Sequence, residues 1–264
     1  MTDEQAGSDP EQERALGKMS FMEHLGELRT RIVWALGSAG VGLVIAFFVT
    51  DPAMRFISRP LAKLHTELVF TSPTEAFWTW MKVAMVLAIF ISMPAILYQV
   101  WKFVSPGLHA HEKKYAAPFI IVGSLLFLIG GAFAMLLVIP FASQFLVTFG
   151  QEKGWKPMIT VANYTDFVIK FALAFGVVFE LPVVITVLAL IGVVTPQFLS
   201  KNRKYAILIN FIIAAVLTPT PDMINQTLMA GPLCILYEVG IICARLAVRK
   251  RKAQAPPSET GATS

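Results

Sequence analysis

The feature that most constrains this chain is a set of long stretches without charged side chains. No charged residue occurs from Tyr115 to Gln151, and uncharged runs also cover Ile32 to Val49 and Val83 to Val100. A helix rises about 1.5 Å per residue, so about 20 such residues cross a hydrocarbon core of about 30 Å. With 56% apolar and 15% charged residues, the sequence predicts an all-α polytopic integral membrane protein.

Six membrane-spanning helices are predicted, at about residues 32–49, 77–100, 117–139, 167–190, 205–217 and 223–244. The stretch 205–244 is divided into two spans because basic residues flank both of its ends, which places both ends on the cytoplasmic side. The TPTPD segment at Thr218–Asp222 supplies the turn. The last two spans then fall short of a full crossing, which predicts a thinned bilayer or a tilt there.

The distribution of basic residues predicts that both termini lie in the cytoplasm. Most of the 22 Lys and Arg residues precede the first span, follow the last one, or lie in the 101–115 and 201–204 connections. The outer connections, 50–76 and 141–166, are predicted to be folded caps. A membrane domain of residues 19–249 is flanked by an acidic segment, 1–18, and by a tail, 250–264, that is first basic and then polar. Both ends are predicted to be disordered.

Nucleic-acid binding, metal binding and catalysis are not expected. The net charge of +5 comes from short basic clusters between apolar runs, which orientation in a bilayer explains. Cys234 and Cys243 lack metal-ligand spacing and are interpreted as small core residues. His109 and His111 cannot chelate one metal from one helical face. No cofactor is expected, and no pairing of a nucleophile with a base is apparent.

The segment Ser20–Arg31 is predicted to form a short helix at the membrane surface. On periodicity alone, its charges have a simple interpretation: Glu27 pairs with Arg31 at i, i+4, and Arg29 faces lipid phosphates. A similar interpretation holds for Glu112, which follows a Ser-Pro-Gly break after the second span and lies beside two lysines.

Motifs in these two segments resemble those of a known family. HLGELRTR before the first span and FVSPGLHAHEKK before the third look like the two cytoplasmic signatures of the TatC family. FGVVFELP at 175–182, LTPTPD at 217–222 and NQTL at 225–228 add to the similarity. The resemblance extends from about Met19 to Arg249, and several ordered motifs are more specific than any single one.

The resemblance implies a binding site for the paired arginines of a signal peptide at the cytoplasmic face. The matching motif positions make Glu27 and Glu112 the candidate carboxylates, with Arg29 and Phe103 shaping the site and His111 a weaker candidate. A guanidinium offers a planar fork of donors to a carboxylate, and lysine fits that geometry poorly.

Glu180 raises a separate question, because a carboxylate midway along a span is costly. One interpretation is a protonated or hydrogen-bonded side chain within the bundle. The resemblance instead implies a polar patch in a concave pocket where the partner subunits TatA or TatB engage, with Pro182 beside it and Gln226 in the NQTL motif.

Three other charged residues in or near the spans have simpler explanations. Glu238 is expected to snorkel from the sixth span toward the cytoplasmic surface. Asp166 and Lys170 are expected to pair at i, i+4.

The resulting hypothesis is a non-enzymatic receptor and core scaffold of the twin-arginine translocase, a multi-pass protein of the bacterial cytoplasmic membrane. It binds signal peptides of folded proteins and assembles with TatA, TatB and further copies of itself. No ATP-binding motif occurs, so the resemblance implies export driven by the proton-motive force. The alternative is a proton- or ion-coupled secondary transporter using Glu180. An intramembrane enzyme would need a nucleophile paired with a base, or a metal cluster, within the spans, and neither is apparent in the sequence.

Overall fold

The structure is a computed structural model that describes residues 21–105, 116–217 and 223–254. Its helices are α1 (Phe21–Lys63), α2 (Pro73–Val104), α3 (Ala116–Phe133), α4 (Ile139–Glu152), α5 (Val161–Phe179), α6 (Leu181–Leu190), α7 (Pro196–Lys201), α8 (Arg203–Leu217) and α9 (Met223–Gln254). A π-helical turn at Ala134–Val138 joins α3 to α4. The short strands β1 (Leu68–Val69) and β2 (Ile159–Thr160) pair in parallel.

The described residues contain five helical stretches that are long and apolar enough to cross a membrane: His24–Lys63, Pro73–Val104, Ala116–Glu152, Val161–Leu190 and Met229–Arg249. The helix α8 has 15 residues and rises only about 23 Å. It corresponds to the predicted short fifth span, so the six-span architecture is confirmed. The predictions for residues 1–18, for the turn at 218–222 and for the tail beyond 254 fall outside the described residues.

The first helix is far longer than its predicted span. It continues past residue 49 to Lys63, through Pro52 and Pro60, where a loop was expected. A proline inside a helix costs about 3 kcal/mol, but Ile57 and Leu61 of this extension are 8% and 1% exposed within the main core. Burial of that apolar face offsets the cost, because packing decides helix formation more than propensity does.

The third span also extends beyond its predicted end at residue 139. Pro140 directly follows that predicted end, but it lies in the first turn of α4, and the helical chain runs on to Glu152. A proline is tolerated in a first helical turn, where its missing N–H has no intrahelical partner to lose. The π-helical turn just before Pro140 interrupts the α-helix, so that Pro140 lies at the start of a new α-helix, α4.

The predicted folded outer loops are confirmed. Leu68 pairs with Ile159 and Val69 with Thr160, so the two outer connections form one small sheet. Glu75 strengthens this link, since its carboxylate accepts hydrogen bonds from the backbone N–H of Thr71 at 2.7 Å and from that of Ala162 at 3.0 Å. The two connections therefore form a single unit, called the cap.

The remaining helix ends differ modestly from the predictions. α2 begins four residues before the predicted start at 77 and ends four residues after 100, and the fourth span begins at Val161 and is divided at Glu180 into α5 and α6. α9 reaches Gln254 rather than ending near 244, because the basic residues that follow are good helix formers.

Several expected side-chain environments were wrong. Asp166 pairs with Lys82 of α2, at 2.8 Å, and not with Lys170. Glu238 is the exception: its side chain is 44% exposed, as expected for one that extends toward the surface, and its carboxylate also binds Arg203 at 2.8 Å. Cys243 is exposed rather than part of the core. Each correction depends on contacts between helices, which spacing along one helix cannot reveal.

Candidate functional site

The helices α1 and α2 pack side by side in antiparallel directions. Near the start of α1, the ring of His24 stacks on that of Phe103 near the end of α2, with 4.4 Å between the centroids. Toward the other end of the pair, the Trp80 Nε1–H donates to the Asp51 carboxylate at 2.7 Å. The beginning of α1 therefore lies beside the end of α2, and this part of the bundle is called the Glu27 end.

Glu27 is confirmed as the partner of Arg31, yet it keeps one free oxygen. Arg31 Nη2 donates to Glu27 Oε1 at 3.0 Å, and the two side chains are only 24% and 15% exposed, respectively. The second oxygen, Glu27 Oε2, and the Arg31 Nε–H are both buried and have no hydrogen-bond partner among the described residues. A buried carboxylate oxygen without a partner is costly, and the described residues do not supply a donor to this one.

Gln99 is a polar residue of this region that sequence reasoning missed. Ser92, Gln99 and Phe103 lie on one face of α2, since they are separated by seven and four residues. This face is directed at α1: a Cβ on Gly42 would lie 3.2 Å from the Ser92 hydroxyl, and Phe103 contacts His24. Gln99 Oε1 is buried without a hydrogen-bond partner among the described residues. A lone amide in an apolar span, four residues before Phe103, was the available signal.

The other predicted residues of this region are placed differently. Arg29 lies on an exposed part of α1, with no ion pair or hydrogen bond to another described residue. Glu112 and His111 fall outside the described residues. The structure therefore brings Glu27 and Phe103 to the same end of the bundle and gives no position for the second candidate carboxylate.

The unpaired groups at the Glu27 end include two acceptors beside the Arg31 Nε–H donor, and the acceptors suit a cation that carries several N–H donors. Two buried acceptor oxygens, one on Glu27 and one on Gln99, have no partner within the described part of the chain. The aromatic ring of Phe103 lies at the same end. Charge-assisted hydrogen bonds to a carboxylate are among the stronger polar contacts in proteins. In the part of the chain that the structure describes, no group of three or more His, Cys, Asp and Glu side chains could hold a metal ion.

Glu180 lies inside the bundle at the break between α5 and α6. It is 8% exposed, and a Cβ on Gly123 of α3 would lie 3.0 Å from its Oε2 atom. The absence of a side chain at Gly123 leaves the space that the carboxyl group occupies. Within the described residues, Glu180 Oε1 is buried and has no hydrogen-bond partner. The side chain is therefore covered by α3 and does not lie on a lipid-facing surface of this chain.

The backbone at this break is satisfied locally. The Glu180 N–H donates to Val177 O at 3.1 Å, and Glu180 O accepts from the N–H groups of Val183 and Val184 at 3.0 and 2.9 Å. Pro182 lies in the first turn of α6, where it continues the helix without an N–H group. The sequence around Glu180 and Pro182 thus accounts locally for the division of the fourth span into α5 and α6.

Gln226 connects the last two spans. Its Nε2 atom donates to Phe211 O of α8 at 3.1 Å, and its side chain is half-buried. The predicted intramembrane residues therefore serve separate contacts: Glu180 with α3, and Gln226 with α8.

Comparison with known proteins gives a consistent assignment. The family model for "Sec-independent protein translocase protein (TatC)" matches residues 23–232. The TatC protein of Carboxydothermus hydrogenoformans is 44% identical over 227 residues, which cover 86% of this chain and 93% of that protein. TatCy of Bacillus subtilis is 34% identical, with 89% and 92% of the two chains covered.

Solved structures agree. A crystal structure of the twin-arginine translocase receptor TatC superimposes with a TM-score of 0.72 at 39% identity and covers 86% of this chain and all of that one. The same receptor in a second crystal structure gives a TM-score of 0.74 at 38% identity. None of these relatives is a transporter, so the alternative of an ion-coupled carrier has no support.

Sequence, architecture and relatives agree from the HLGELRTR motif to the sixth span. The chain therefore belongs to the TatC family: it is a multi-pass protein of the bacterial inner membrane and a receptor component of the twin-arginine translocase, not an enzyme.

Proposed function

We propose that this chain binds the paired arginines of twin-arginine signal peptides at the Glu27 end, and that this end faces the cytoplasm. The observation that carries the proposal is the buried Glu27 Oε2 atom, which has no hydrogen-bond partner among the described residues. An incoming guanidinium would supply the missing donor, and its planar fork suits a carboxylate better than a lysine ammonium does. Glu112, His111 and Arg29 complete the proposed site on the grounds of the family motifs.

The proposed orientation, with both termini in the cytoplasm, rests on the positive-inside rule. In that orientation the cap lies on the outer side. Folded precursors would approach the Glu27 end, and export would be driven by the proton-motive force.

We further infer that TatA and TatB, single-span partners, engage the bundle near Glu180, Pro182 and Gln226, and that several copies of this chain assemble together. A groove of about 410 Å³ between α3, α6 and α9 supports this inference, because Pro182 lines it together with the side chains of Phe119, Val183, Thr186, Val239 and Cys243. Glu180 lies two residues before Pro182 in the chain but is itself covered by α3, so the partner would contact the groove beside it.

The test of signal-peptide binding uses the purified chain in detergent and a synthetic peptide bearing two arginines. Glu27→Gln keeps the shape of the side chain but removes its charge, and we expect roughly tenfold weaker binding or more, since hydrogen bonds to charged groups contribute about 1.5–3 kcal/mol. Glu67→Gln, at an exposed residue in the first outer connection, is the matched control. A peptide with two lysines should also bind more weakly to the unmodified chain.

Two further measurements keep this test decisive. Thermal unfolding of each variant shows whether Glu27→Gln still folds, and Glu112→Gln should weaken binding in the same way. Equal affinity of all variants for both peptides would exclude the Glu27 end as the receptor site.

A further inference from the structure

The extension of α1 beyond the predicted first span carries an unusual row of basic side chains. Arg55, Arg59 and Lys63 follow one another at intervals of four residues, and all three are exposed. The opposite face of the same segment is formed by Ile57 and Leu61, which are buried in the main core. The extension is therefore amphipathic. One face is apolar and buried, and the other carries these three exposed cations.

This cationic row continues a lipid-facing apolar row. Phe48 is 81% exposed, and at about 100° per residue both Arg55 and Arg59 lie within about 20° of its direction around the helix axis. One exposed face of α1 thus changes from apolar to cationic after Phe48. Such a change marks the depth at which hydrocarbon gives way to the headgroup region.

The spacing of charges along α1 matches the thickness of a bilayer. Arg31 at the Glu27 end and Arg55 are separated by about 36 Å of helix, and Arg31 and Arg59 by about 42 Å. A bilayer measures roughly 40–45 Å including both headgroup regions. When the Glu27 end lies among the headgroups of one leaflet, Arg55 and Arg59 lie among those of the other.

The guanidinium groups on this row have no carboxylate partner among the described residues. Asp51 accepts a hydrogen bond from Trp80, and Glu75 accepts from backbone groups of the cap. Glu67, four residues after Lys63, is exposed and forms no ion pair with this row in the described part of the chain. The Arg59 guanidinium lies over the ring of Phe56, 5.3 Å from its centroid. Stacking occupies a face of the guanidinium and leaves its N–H edge available.

We propose that Arg55 and Arg59 form a binding site for the phosphate group of an anionic phospholipid in the leaflet opposite the Glu27 end. The two guanidinium groups bind the phosphodiester through their N–H edges, and an acyl chain of the same lipid lies along Phe48. Lys63 adds positive charge one turn further out. A zwitterionic lipid fits less well, because its ammonium group would lie beside the three cations of this row, and the carboxylate of Asp51 already accepts a hydrogen bond from Trp80. This site is independent of signal-peptide binding.

The experiment uses the full chain in detergent and a photoreactive phosphatidylglycerol, with modified peptides mapped by mass spectrometry. We expect adducts on residues 48–63, and we expect unlabelled phosphatidylglycerol to displace the probe at concentrations about tenfold lower than phosphatidylcholine with the same acyl chains. Labelling of this segment should fall at least fivefold in the double variant Arg55→Gln, Arg59→Gln. The control, Lys153→Gln with Lys156→Gln, removes the same charge from the other outer connection and should label normally.

Three outcomes would overturn the proposal. These are unchanged labelling in the Arg55, Arg59 double variant, equal displacement by the two lipids, and equally effective displacement by glycerol 3-phosphate, which would indicate a soluble phosphate ligand instead. If the double Gln variant fails to fold, the double variant Arg55→Lys, Arg59→Lys replaces it. This variant retains the positive charge but removes the planar N–H donors of the two guanidinium groups. That pair should then lower labelling severalfold, and normal labelling would count against the site.

Discussion

Lys82 and Asp166 join two membrane helices that are far apart in sequence: the Lys82 Nζ atom lies 2.8 Å and 3.0 Å from the two carboxylate oxygens of Asp166. The pair links α2 to α5 near the cap. Because both side chains are about two-fifths exposed, solvent and headgroups screen the attraction, which is therefore weaker than that of a buried pair.

This pairing predicts which substitution destabilises the bundle. Asp166→Asn should lower the free energy of unfolding by about 1 kcal/mol or less, and Lys82→Met should have a similar effect. Lys170→Met removes a cation that does not pair with Asp166 and should change stability less. Thermal unfolding in detergent measures all three, and an effect of Lys170→Met as large as that of Asp166→Asn would contradict the assignment.

A second prediction concerns the close approach of α1 and α2. A Cβ on Gly42 would lie 2.8 Å from Ala88 O, whereas a Cβ on Gly40 would meet no atom within 4 Å. Gly42→Ala should therefore force the helices apart and destabilise the chain by about 1–3 kcal/mol, as overpacking does in cores. Gly40→Ala is the matched control and should be neutral or slightly stabilising. Equal unfolding temperatures for the two variants would show that the helices are not in close contact.

A third prediction concerns Gln99. If its free carbonyl oxygen accepts a hydrogen bond from a bound guanidinium, Gln99→Leu should weaken binding of a twin-arginine peptide by about tenfold while leaving the unfolding temperature nearly unchanged. Gln144→Leu, on an exposed part of α4, is the control. Unchanged peptide affinity in Gln99→Leu would mean that this amide serves only the packing of α1 against α2.

The fold was largely predictable from the sequence because the membrane leaves few choices. An apolar stretch of sufficient length must be helical there, since backbone groups find no water to bind. Charge placement also indicated that residues 205–244 cross twice, and α8 and α9 are separate helices with an interhelical contact from Gln226 to Phe211.

What could not be predicted depends on contacts between distant parts of the chain. The predicted first and third spans end at residues 49 and 139, shortly before Pro52 and Pro140, but packing of the residues around these prolines keeps the chain helical. The partner of Asp166 is 84 residues away, so the spacing to Lys170 was misleading. At the candidate site, the motifs predict Glu27 and Phe103 as binding residues, and this stays a prediction. The contact of His24 with Phe103 depends on the packing of α1 against α2 and could not be predicted from either motif.

The π-helical turn at Ala134–Val138 also sets the orientation of everything that follows it in the third span. A π-helical turn accommodates one more residue than a regular turn, so the side chains of α4 are rotated by about 100° relative to an uninterrupted helix. In this rotated arrangement Val147 is 7% exposed and belongs to the core. The number of residues in this one turn, rather than the hydrophobicity of α4, thus selects which side of α4 meets the protein and which side meets lipid.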